Sequence, residues 1–218
     1  MPPAMAQRLI LSHLAISSNS SKSCLSRTML DLFDAPLLPG LAALPDIVSE
    51  AEELALIEAI DAVELTPFRF QGWTGKRVIA SFGWSYDFDT NELGRADPIP
   101  DWLLSLQKRL ADFAGVEEDS LIQALLIRYD RGAGINWHRD RPIYEHVVGL
   151  SLGASADMRF RRKRRDGRYD RVSLPLAPRA AYHMAGEARH EWQHSIAEME
   201  RTRWSITFRS PSSLWPAG

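Results

Sequence analysis

Residues 203–209 read Arg-Trp-Ser-Ile-Thr-Phe-Arg, and polar and apolar side chains alternate along them without a break. Because successive side chains of a β-strand point to opposite faces, this alternation predicts a strand over residues 202–209. One face carries Trp204, Ile206 and Phe208, which suit a core. The other face carries four polar residues: Arg203, Ser205, Thr207 and Arg209. Arginines inside a β core need an anion to neutralise them, whereas arginines on a solvated strand face need none.

Six further short stretches before this segment have strand character, and turn signals separate them. They are residues 121–129, 134–139, 147–152, 158–161, 172–176 and 180–184. Many short strands divided by turns are typical of a β-sandwich or a β-barrel. The predicted fold class is therefore α+β, an antiparallel β core braced by N-terminal helices.

Two helices are predicted before the strand-rich half. Ser49 and Glu52 form a capping box, which opens a helix that runs to about Val63. The second helix is predicted over residues 101–114, where leucines recur at helical spacing and Gly115 ends the segment. Both helices are expected to support the core rather than to carry chemistry.

The composition limits the kind of protein. The 218 residues are 45% hydrophobic and 25% charged, close to the globular average, and the net charge of −2 gives no general affinity for nucleic acid. The single cysteine, Cys24, excludes an internal disulfide framework and a cysteine-based zinc cluster. No apolar stretch approaches the roughly 18 residues that a membrane span needs. We expect a cytoplasmic protein without membrane contact, and a monomer.

Residues 1–28 differ in composition from the rest of the chain. They contain seven serines, three basic residues and no acid. This composition resembles a transit peptide, and the alternative is an over-long start with Met29 as the first residue of the folded protein. Under either interpretation, residues 29–218 are predicted to form one folded domain, and residues 1–28 a targeting-like or disordered extension.

A metal-binding pattern lies in the strand-rich half. His138-Arg139-Asp140 has the form H-x-D, and positions i and i+2 of a strand face the same side. His194 follows 56 residues after His138 and would supply a second imidazole. Two histidines and one carboxylate, with open positions opposite, are typical of non-haem Fe(II) oxygenases. Alone, H-x-D is a weak pattern, because a His and an Asp two residues apart usually form a surface pair.

The two arginines of the C-terminal strand fit a dicarboxylate cosubstrate beside such a metal. In an extended strand their Cα atoms lie about 20 Å apart, which is longer than a five-carbon diacid. They therefore do not both bind one carboxylate group. We predict that Arg203 binds the distal end of the diacid and that Arg209 reaches back toward the metal end.

Two other motifs match catalytic patterns. Residues 149–153, Gly-Leu-Ser-Leu-Gly, fit the nucleophile elbow G-x-S-x-G, but a further strand follows too soon for the helix that this motif requires. Residues 190–194, His-Glu-Trp-Gln-His, fit the zinc-protease motif H-E-x-x-H, in which Glu191 would be the general base. No suitable third ligand follows His194. We therefore disfavour both interpretations.

Together these residues resemble the AlkB family of Fe(II)/2-oxoglutarate dioxygenases, over about residues 44–209. The resemblance is carried by four segments: Arg128-Tyr129 before His138, Ser151-Leu152-Gly153, residues 186–189 leading into 192–196, and the R-x5-R ending at Arg203 and Arg209. It implies a double-stranded β-helix, or jelly roll, that uses Fe(II), 2-oxoglutarate and O2.

The resemblance also implies roles for individual residues. It implies iron ligation by His138, Asp140 and His194, with His190 not a ligand. It implies 2-oxoglutarate binding by four residues: Tyr129, Arg203, Ser205 and Arg209. Two positions depart from the family pattern. Ile127 replaces an asparagine that commonly helps to hold the cosubstrate, and Pro142 replaces an acid that the bacterial prototype links to base recognition.

Candidate substrate-binding residues follow from chemistry on a nucleobase, which requires the base to be extruded and stacked on an aromatic ring. Trp73 falls where the family's stacking tryptophan would lie, and Trp84 and Tyr86 are further candidates. Each of the three is equally compatible with an ordinary core or rim aromatic. Residues 159–171 contain eight Arg or Lys against two acids. We predict a hairpin whose phosphate contacts come from Arg161, Arg162, Arg164 and Arg165, the alternative being a solvated hairpin.

Three functions follow from this pattern. The first is oxidative demethylation of N-alkylated bases in DNA or RNA. The second is the same iron chemistry on a protein side chain or a small molecule. The third is a nucleic-acid-binding module with an inactive site, which would not need the complete set of three ligands and two arginines.

Overall fold

The structure is a computed structural model that describes residues 37–70, 72–87, 90 and 92–215, without the side chains of Phe70 and Trp73. The predicted extension, residues 1–28, and the predicted domain start at Met29 lie outside the described residues. Within the described ranges, no helix is long and apolar enough to cross a membrane.

The described residues form thirteen strands and three α-helices. The first five strands are β1 (Leu41–Leu44), β2 (Thr66–Phe70), β3 (Trp73–Phe82), β4 (Trp84–Asp87) and β5 (Glu92–Arg95). The next eight are β6 (Gln123–Tyr129), β7 (Ile135–His138), β8 (Tyr144–Gly153), β9 (Ala156–Lys163), β10 (Tyr169–Leu176), β11 (Ala181–Met184), β12 (Gln193–Ile196) and β13 (Arg203–Pro211). The helices are α1 (Glu50–Asp61), α2 (Asp101–Ala114) and α3 (Gly186–His190).

Strands β6 to β13 are divided between two antiparallel sheets that enclose a common cavity. The larger sheet has seven strands in the order β1-β11-β8-β13-β6-β3-β2, and the smaller has four in the order β10-β9-β12-β7. Strands β4 and β5 form a separate two-stranded sheet. This arrangement is the jelly roll that the sequence predicts, and the prediction is confirmed.

Helices α1 and α2 pack on the outer face of the larger sheet. The capping box is present, because the Ser49 hydroxyl accepts a hydrogen bond from the Glu52 backbone and the Glu52 carboxylate accepts one from the Ser49 backbone. Helix α2 ends where Gly115 adopts a left-handed φ of 67°. Both helices contribute to a core that includes the apolar face of β13, where Ile206 and Phe208 are fully buried. The polar face of β13 is thereby turned toward the cavity.

The sequence predicts seven of the eight jelly-roll strands and misses β12. The missed strand is four residues long and begins inside the H-E-x-x-H segment, at Gln193. Strands β1 to β5 and the one-turn helix α3 are also absent from the prediction. These elements are mostly short, and without the pairing that the fold supplies their sequences carry little periodicity.

Candidate active site

A cavity between the two sheets collects all seven of the predicted metal-binding and cosubstrate-binding residues. Its empty volume is about 400 Å³, part of it open to solvent. Polar and charged residues line one part of the wall: Tyr129, His138, Asp140, Tyr182, His194, Arg203, Ser205, Thr207 and Arg209. Apolar residues line the rest: Ile127, Ile135, Val147, Met158, Met184 and Ile196.

The two histidines of the predicted metal site lie side by side. Strand β12 pairs with β7 so that His194 is directly opposite His138, and their ring centroids are 4.2 Å apart. Nε2 of His194 lies 3.8 Å from a carboxylate oxygen of Asp140. Nδ1 of His138 donates to the carbonyl oxygen of Asn136 at 2.8 Å, which leaves Nε2 as the nitrogen with a free lone pair.

Asp140 reaches the histidines from outside the strand. β7 ends at His138, so the expectation that both residues of H-x-D share a strand face is wrong at this point. Within the described residues, no three His, Cys, Asp or Glu side chains stand grouped as a formed metal site. One carboxylate oxygen of Asp140 is engaged by Nη2 of Arg209 at 3.0 Å.

The charge states of the three side chains suit metal ligands, which must be deprotonated. Burial alone would raise the pKa of Asp140, but the neighbouring Arg209 and the two imidazoles outweigh it and hold that pKa well below its usual range. Burial, reinforced by His138, lowers the pKa of His194 to about 3. Burial also lowers the pKa of His138. Near neutral pH the site therefore holds one carboxylate and two neutral imidazoles.

Arg203 is the most completely buried charged side chain of the cavity wall, with 1% of its surface exposed. It lies between Tyr129 of β6 and Gly153 of β8, and its Nε donates to the Ser151 hydroxyl at 3.1 Å. Its Nη1 and Nη2 atoms have no hydrogen-bond partner among the described residues. An unpaired buried guanidinium is costly, so the two free nitrogens fit an anion with two oxygens, such as a carboxylate.

Arg209 lies at the opposite end of the row. Its Nη2 donates to Asp140 and its Nη1 donates to the Gln123 side-chain carbonyl, each at 3.0 Å. Between the arginines, Ser205 is buried, and Thr207 lies 3.4 Å from the Tyr182 hydroxyl. The order along β13 therefore agrees with the predicted assignment of Arg209 to the metal end and Arg203 to the distal end.

Sequence reasoning missed several residues that shape this wall. Ser151 lies within the disfavoured G-x-S-x-G match, on the continuous strand β8, and its hydroxyl is directed at Arg203. Arg189 is buried, and its Nη2 donates to the backbone carbonyls of Arg141 and Tyr144, just after Asp140. The Ser-Leu-Gly segment quoted for the family resemblance contains Ser151 and could have indicated its role. Arg189 ends the segment 186–189 quoted for the same resemblance, which assigned it no role.

A further buried cation, Arg77 of β3, was also missed. It is 8% exposed, its guanidinium carbon lies 3.7 Å from the Phe68 ring centroid, and burial lowers its pKa. The charge of Arg77 contributes to the lowered pKa of His138. This part of the site is therefore more positive than β13 alone makes it.

The geometry removes the zinc-protease interpretation. Helix α3 ends at His190, whereas His194 lies on β12, so the two histidines do not share a helix face. Nε2 of His190 contacts Glu145 at 3.1 Å, and Glu191 pairs with Arg162 at 3.0 Å. Neither His190 nor Glu191 lines the cavity.

The predicted stacking aromatics lie on the two-stranded sheet or before it. Trp84 meets Trp215 edge-on at 5.0 Å between ring centroids, and its backbone carbonyl accepts a hydrogen bond from Gln123, the partner of Arg209. The guanidinium of Arg141 lies 3.3 Å from the ring centroid of Tyr86. The side chain of Trp73 lies outside the described residues. Trp84 is thus linked through Gln123 to the metal end, and one face of Tyr86 is occupied.

The four predicted phosphate-binding arginines have different surroundings. Arg162 pairs with Glu187 at 2.9 Å and with Glu191, and Arg164 pairs with Asp170. These two arginines are therefore engaged by carboxylates rather than free for phosphate. Nε of Arg161 donates to the Gln193 side chain at 2.9 Å. Arg165 is exposed at the hairpin tip and forms no ion pair within the described ranges.

Comparisons with known proteins agree with this architecture. Residues 40–209 match the model of the 2OG-Fe(II) oxygenase superfamily. The alkylated DNA repair protein ALKBH8 homolog of Arabidopsis thaliana is 28% identical over 193 residues, 77% of this chain and 54% of that protein. The tRNA (carboxymethyluridine(34)-5-O)-methyltransferase ALKBH8 of Macaca fascicularis is 32% identical over 168 residues, 73% of this chain and 24% of that protein. The chain thus spans about a quarter to a half of the length of these relatives.

A more distant relative and a solved structure complete the comparison. The probable RNA/DNA demethylase ALKBH6 of Danio rerio is 26% identical over 132 residues, 57% of this chain and 51% of that protein. The structure of OsALKBH1 has a TM-score of 0.56 at 16% identity and covers 78% of this chain and 96% of that chain, which shows a shared fold. Because the family match takes in the jelly roll, the two histidines, Asp140 and both arginines, the chain is a member of the AlkB group of the 2OG-Fe(II) oxygenase superfamily, dioxygenases that use Fe(II), 2-oxoglutarate and O2.

Proposed function

We propose that this dioxygenase oxidises alkyl groups on nucleobases of RNA or DNA and thereby removes N-methyl groups. The observation that carries the proposal is the composition of one cavity. It holds two imidazoles and Asp140 at one end of the arginine row and the unpaired guanidinium of Arg203 at the other. That pairing of a metal-ligand set with a buried anion site is what an oxygenase with a dicarboxylate cosubstrate requires.

The residues present fit both groups. His138, Asp140 and His194 would hold Fe(II), and the Nη atoms of Arg203 would bind the distal carboxylate of 2-oxoglutarate, beside Tyr129 and Ser205. When bound, Fe(II), 2-oxoglutarate and O2 supply the oxidation of a C–H bond to an alcohol, while 2-oxoglutarate leaves as succinate and CO2.

The remaining residues hold these groups in place and keep water out. The ion pair with Arg209 keeps the Asp140 carboxylate ionised and fixes its orientation. The carbonyl of Asn136 fixes the His138 ring, and Ser151 fixes the Arg203 guanidinium through Nε. The apolar wall limits solvent, which strengthens every charge interaction inside the cavity.

The substrate class is supported by the names of the relatives, which include DNA repair, tRNA and RNA/DNA demethylase. Oxidation of an N-methyl group gives an N-hydroxymethyl hemiaminal. This breaks down at its C–N bond, returning the proton to nitrogen and releasing formaldehyde. Trp84, whose ring contacts Trp215 and Arg95, and Tyr86, whose ring is covered on one face by Arg141, are the described aromatic candidates for contact with an extruded base.

One relative favours a second candidate reaction. Its name refers to carboxymethyluridine in tRNA. A carboxymethyl group on a ring carbon of the base has no C–N bond to break. Oxidation of a carbon-linked group leaves a stable alcohol on the base and releases no formaldehyde. The same cavity would then modify a tRNA base without dealkylating it.

The test is succinate release with Fe(II) and 2-oxoglutarate across methylated oligonucleotides, free nucleosides, carboxymethyluridine-containing tRNA and histone peptides. Demethylation predicts formaldehyde equal to succinate and loss of one methyl group by mass spectrometry. Hydroxylation of tRNA predicts a gain of one oxygen atom without formaldehyde. Turnover with peptides or small molecules alone would overturn the nucleic-acid proposal, and absence of any 2-oxoglutarate turnover would favour an inactive binding module.

A further inference from the structure

The hairpin of β9 and β10 has two chemically different faces. Side chains alternate along each strand, and Met158, Phe160, Leu174 and Leu176 point inward and are buried. Asp170 lies on the same inward parity and pairs with Arg162 and Arg164. The outward parity carries four cations and a tyrosine: Arg159, Arg161, Lys163, Tyr169 and Arg171.

These outward cations are organised by aromatic rings. The guanidinium carbons of Arg159 and Arg161 lie 5.4 and 4.4 Å from the ring centroid of Trp137 on β7. Those of Arg161 and Arg171 lie 4.8 and 5.5 Å from the centroid of Tyr169. Cations and rings therefore alternate across the sheet in the order Trp137, Arg159 and Arg161, Tyr169, Arg171. We call these five residues, together with Lys163, the outer-sheet patch.

The patch lacks the carboxylates that neutralise the other face. Within the part of the chain that the structure describes, none of its four cations forms an ion pair, whereas Arg162, Arg164 and Arg168 of the same hairpin all do. Asp157 is the acid that shares the outward parity, at the far end of β9. The patch thus carries a charge of +4, or +3 with Asp157 counted, on a chain whose total charge is −2.

We propose that the outer-sheet patch binds the phosphate backbone of the nucleic-acid strand that flanks the target base. Stacking on rings holds Arg159 and Arg171 in place while their N–H edges stay free for phosphate, whereas Nε of Arg161 donates to Gln193. The rings offer faces on which bases stack. Three strand spacings, roughly 14 Å, separate β7 from β10, so the patch can follow a backbone over more than one phosphate. This inference rests on the proposed function for the identity of the polyanion.

The position of the patch links it to the site. Trp137 directly precedes His138 on β7, the edge strand of the smaller sheet, and alternation puts the two side chains on opposite faces. A strand whose target base enters the cavity could pass around this edge onto the patch. Only a substrate that extends beyond the target nucleotide would gain binding affinity from the patch.

The experiment measures binding of unmethylated single-stranded RNA and DNA, of equal length and labelled with fluorescein, over a range of salt concentrations. The test variant is Arg159→Gln with Arg171→Gln. The matched control is Arg164→Gln with Arg168→Gln, which removes the same charge from the same hairpin but from ion-paired positions. The conservative variant Arg159→Lys with Arg171→Lys keeps the charge. 2-Oxoglutarate turnover without nucleic acid checks that the cavity of the test variant is intact.

We expect the test variant to flatten the slope of log affinity against log salt by about 1.4 for single strands, two contacts at about 0.7 each. The control and the lysine variant should keep the wild-type slope. Loss of catalytic efficiency should appear with long methylated oligonucleotides and not with nucleosides.

Equal slopes for wild type and test variant would overturn the proposal, even if methylated oligonucleotides are oxidised. Equal flattening by test and control variants would also overturn it, because binding would then follow net charge rather than this face. Binding of polyglutamate in place of RNA and DNA would assign the patch to an acidic protein instead. Slopes as expected, without oxidation of any oligonucleotide, would support the patch while the proposed function failed.

Discussion

At the scale of single residues, the two histidines of the H-E-x-x-H segment have opposite surroundings. His194 is buried beside His138 and Asp140, whereas His190 is exposed and contacts Glu145. We expect His194→Ala, His138→Ala and Asp140→Ala each to abolish turnover, because each removes one of the three proposed iron ligands. His190→Ala and Glu191→Ala should retain most activity, measured as succinate release. A Glu191→Ala protein as inactive as His194→Ala would contradict the iron assignment.

Arg203 provides a second residue-scale prediction. Stranding a buried anion without its partner costs roughly 3–5 kcal/mol, so Arg203→Ala should raise the KM for 2-oxoglutarate by two orders of magnitude or more. Iron affinity should change little, since Arg203 lies at the other end of β13 from Asp140. Steady-state kinetics and Fe(II) titration check the two parts. An unchanged KM would show that Arg203 does not bind 2-oxoglutarate.

Ser151 is expected to act through Arg203. Ser151→Ala leaves Nε of Arg203 without its hydrogen bond, a loss of about 1–3 kcal/mol for a buried donor, so the KM for 2-oxoglutarate should rise about tenfold with kcat nearly constant. Ser195→Ala is the matched control, because the Ser195 hydroxyl is buried but has no hydrogen-bond partner among the described residues. Equal effects of the two substitutions would argue for packing rather than positioning.

At the scale of elements, β8 depends on one glycine for a close approach. A Cβ added at Gly149 would lie 2.3 Å from the ring of Tyr182, which is buried on β11 beside the cavity. We expect Gly149→Ala to destabilise the fold by about 1–3 kcal/mol, measured by urea denaturation, because the ring must move. Gly94→Ala on β5 should be neutral, since no atom lies within 4 Å of the added carbon. Similar midpoints for both variants would contradict this reading of β8.

An element can be predicted from the sequence when a pattern in its own residues specifies it, and not when it forms only by pairing with distant strands. β13 is predictable from the alternation of polar and apolar residues, α1 from the capping box of Ser49 and Glu52, and α2 from its leucine spacing and Gly115. β12 is not, because its four residues become a strand only through pairing with β7 and β9. The convergence of His138, Asp140 and His194 follows from the family resemblance. In the basic hairpin, Arg164 and Arg168 pair with acids of the hairpin itself, whereas the pairing of Arg162 with Glu187 and Glu191 depends on residues that are distant in sequence.

At the scale of the whole molecule, a second histidine pair makes stability depend on pH. His183 lies on the outer side of the larger sheet, and its Nε2 is 3.0 Å from Nδ1 of His146. Burial is the larger cause, and the charge of His146 the smaller one, that lowers the pKa of His183 to about 4. The unfolded chain takes up this proton near the ordinary value of 6.5, before the folded chain does. The contribution of the neutral His183 to the free energy of unfolding is therefore complete above pH 6.5 and is lost as the pH falls toward 4.

We expect the free energy of unfolding, measured by urea titration, to fall between pH 6.5 and pH 4, and to fall less steeply in His183→Gln. Comparison of the two proteins at pH 8 separates this effect from packing, because His183 is then neutral in both states. Parallel pH profiles for wild type and variant would contradict the assignment.

The burial of Arg203 also bears on how long the protein persists. The Arg203 guanidinium is 1% exposed and two of its nitrogens are unpaired, so without a bound anion it lowers the free energy of unfolding. A ligand that binds only the folded state raises the free energy of unfolding, by about 2.7 kcal/mol at a hundredfold excess over Kd. Opening of the chain, and with it degradation by proteases, then becomes rarer as the dicarboxylate becomes abundant. The amount of enzyme would thus vary with the central metabolite that it consumes, without any change in its synthesis.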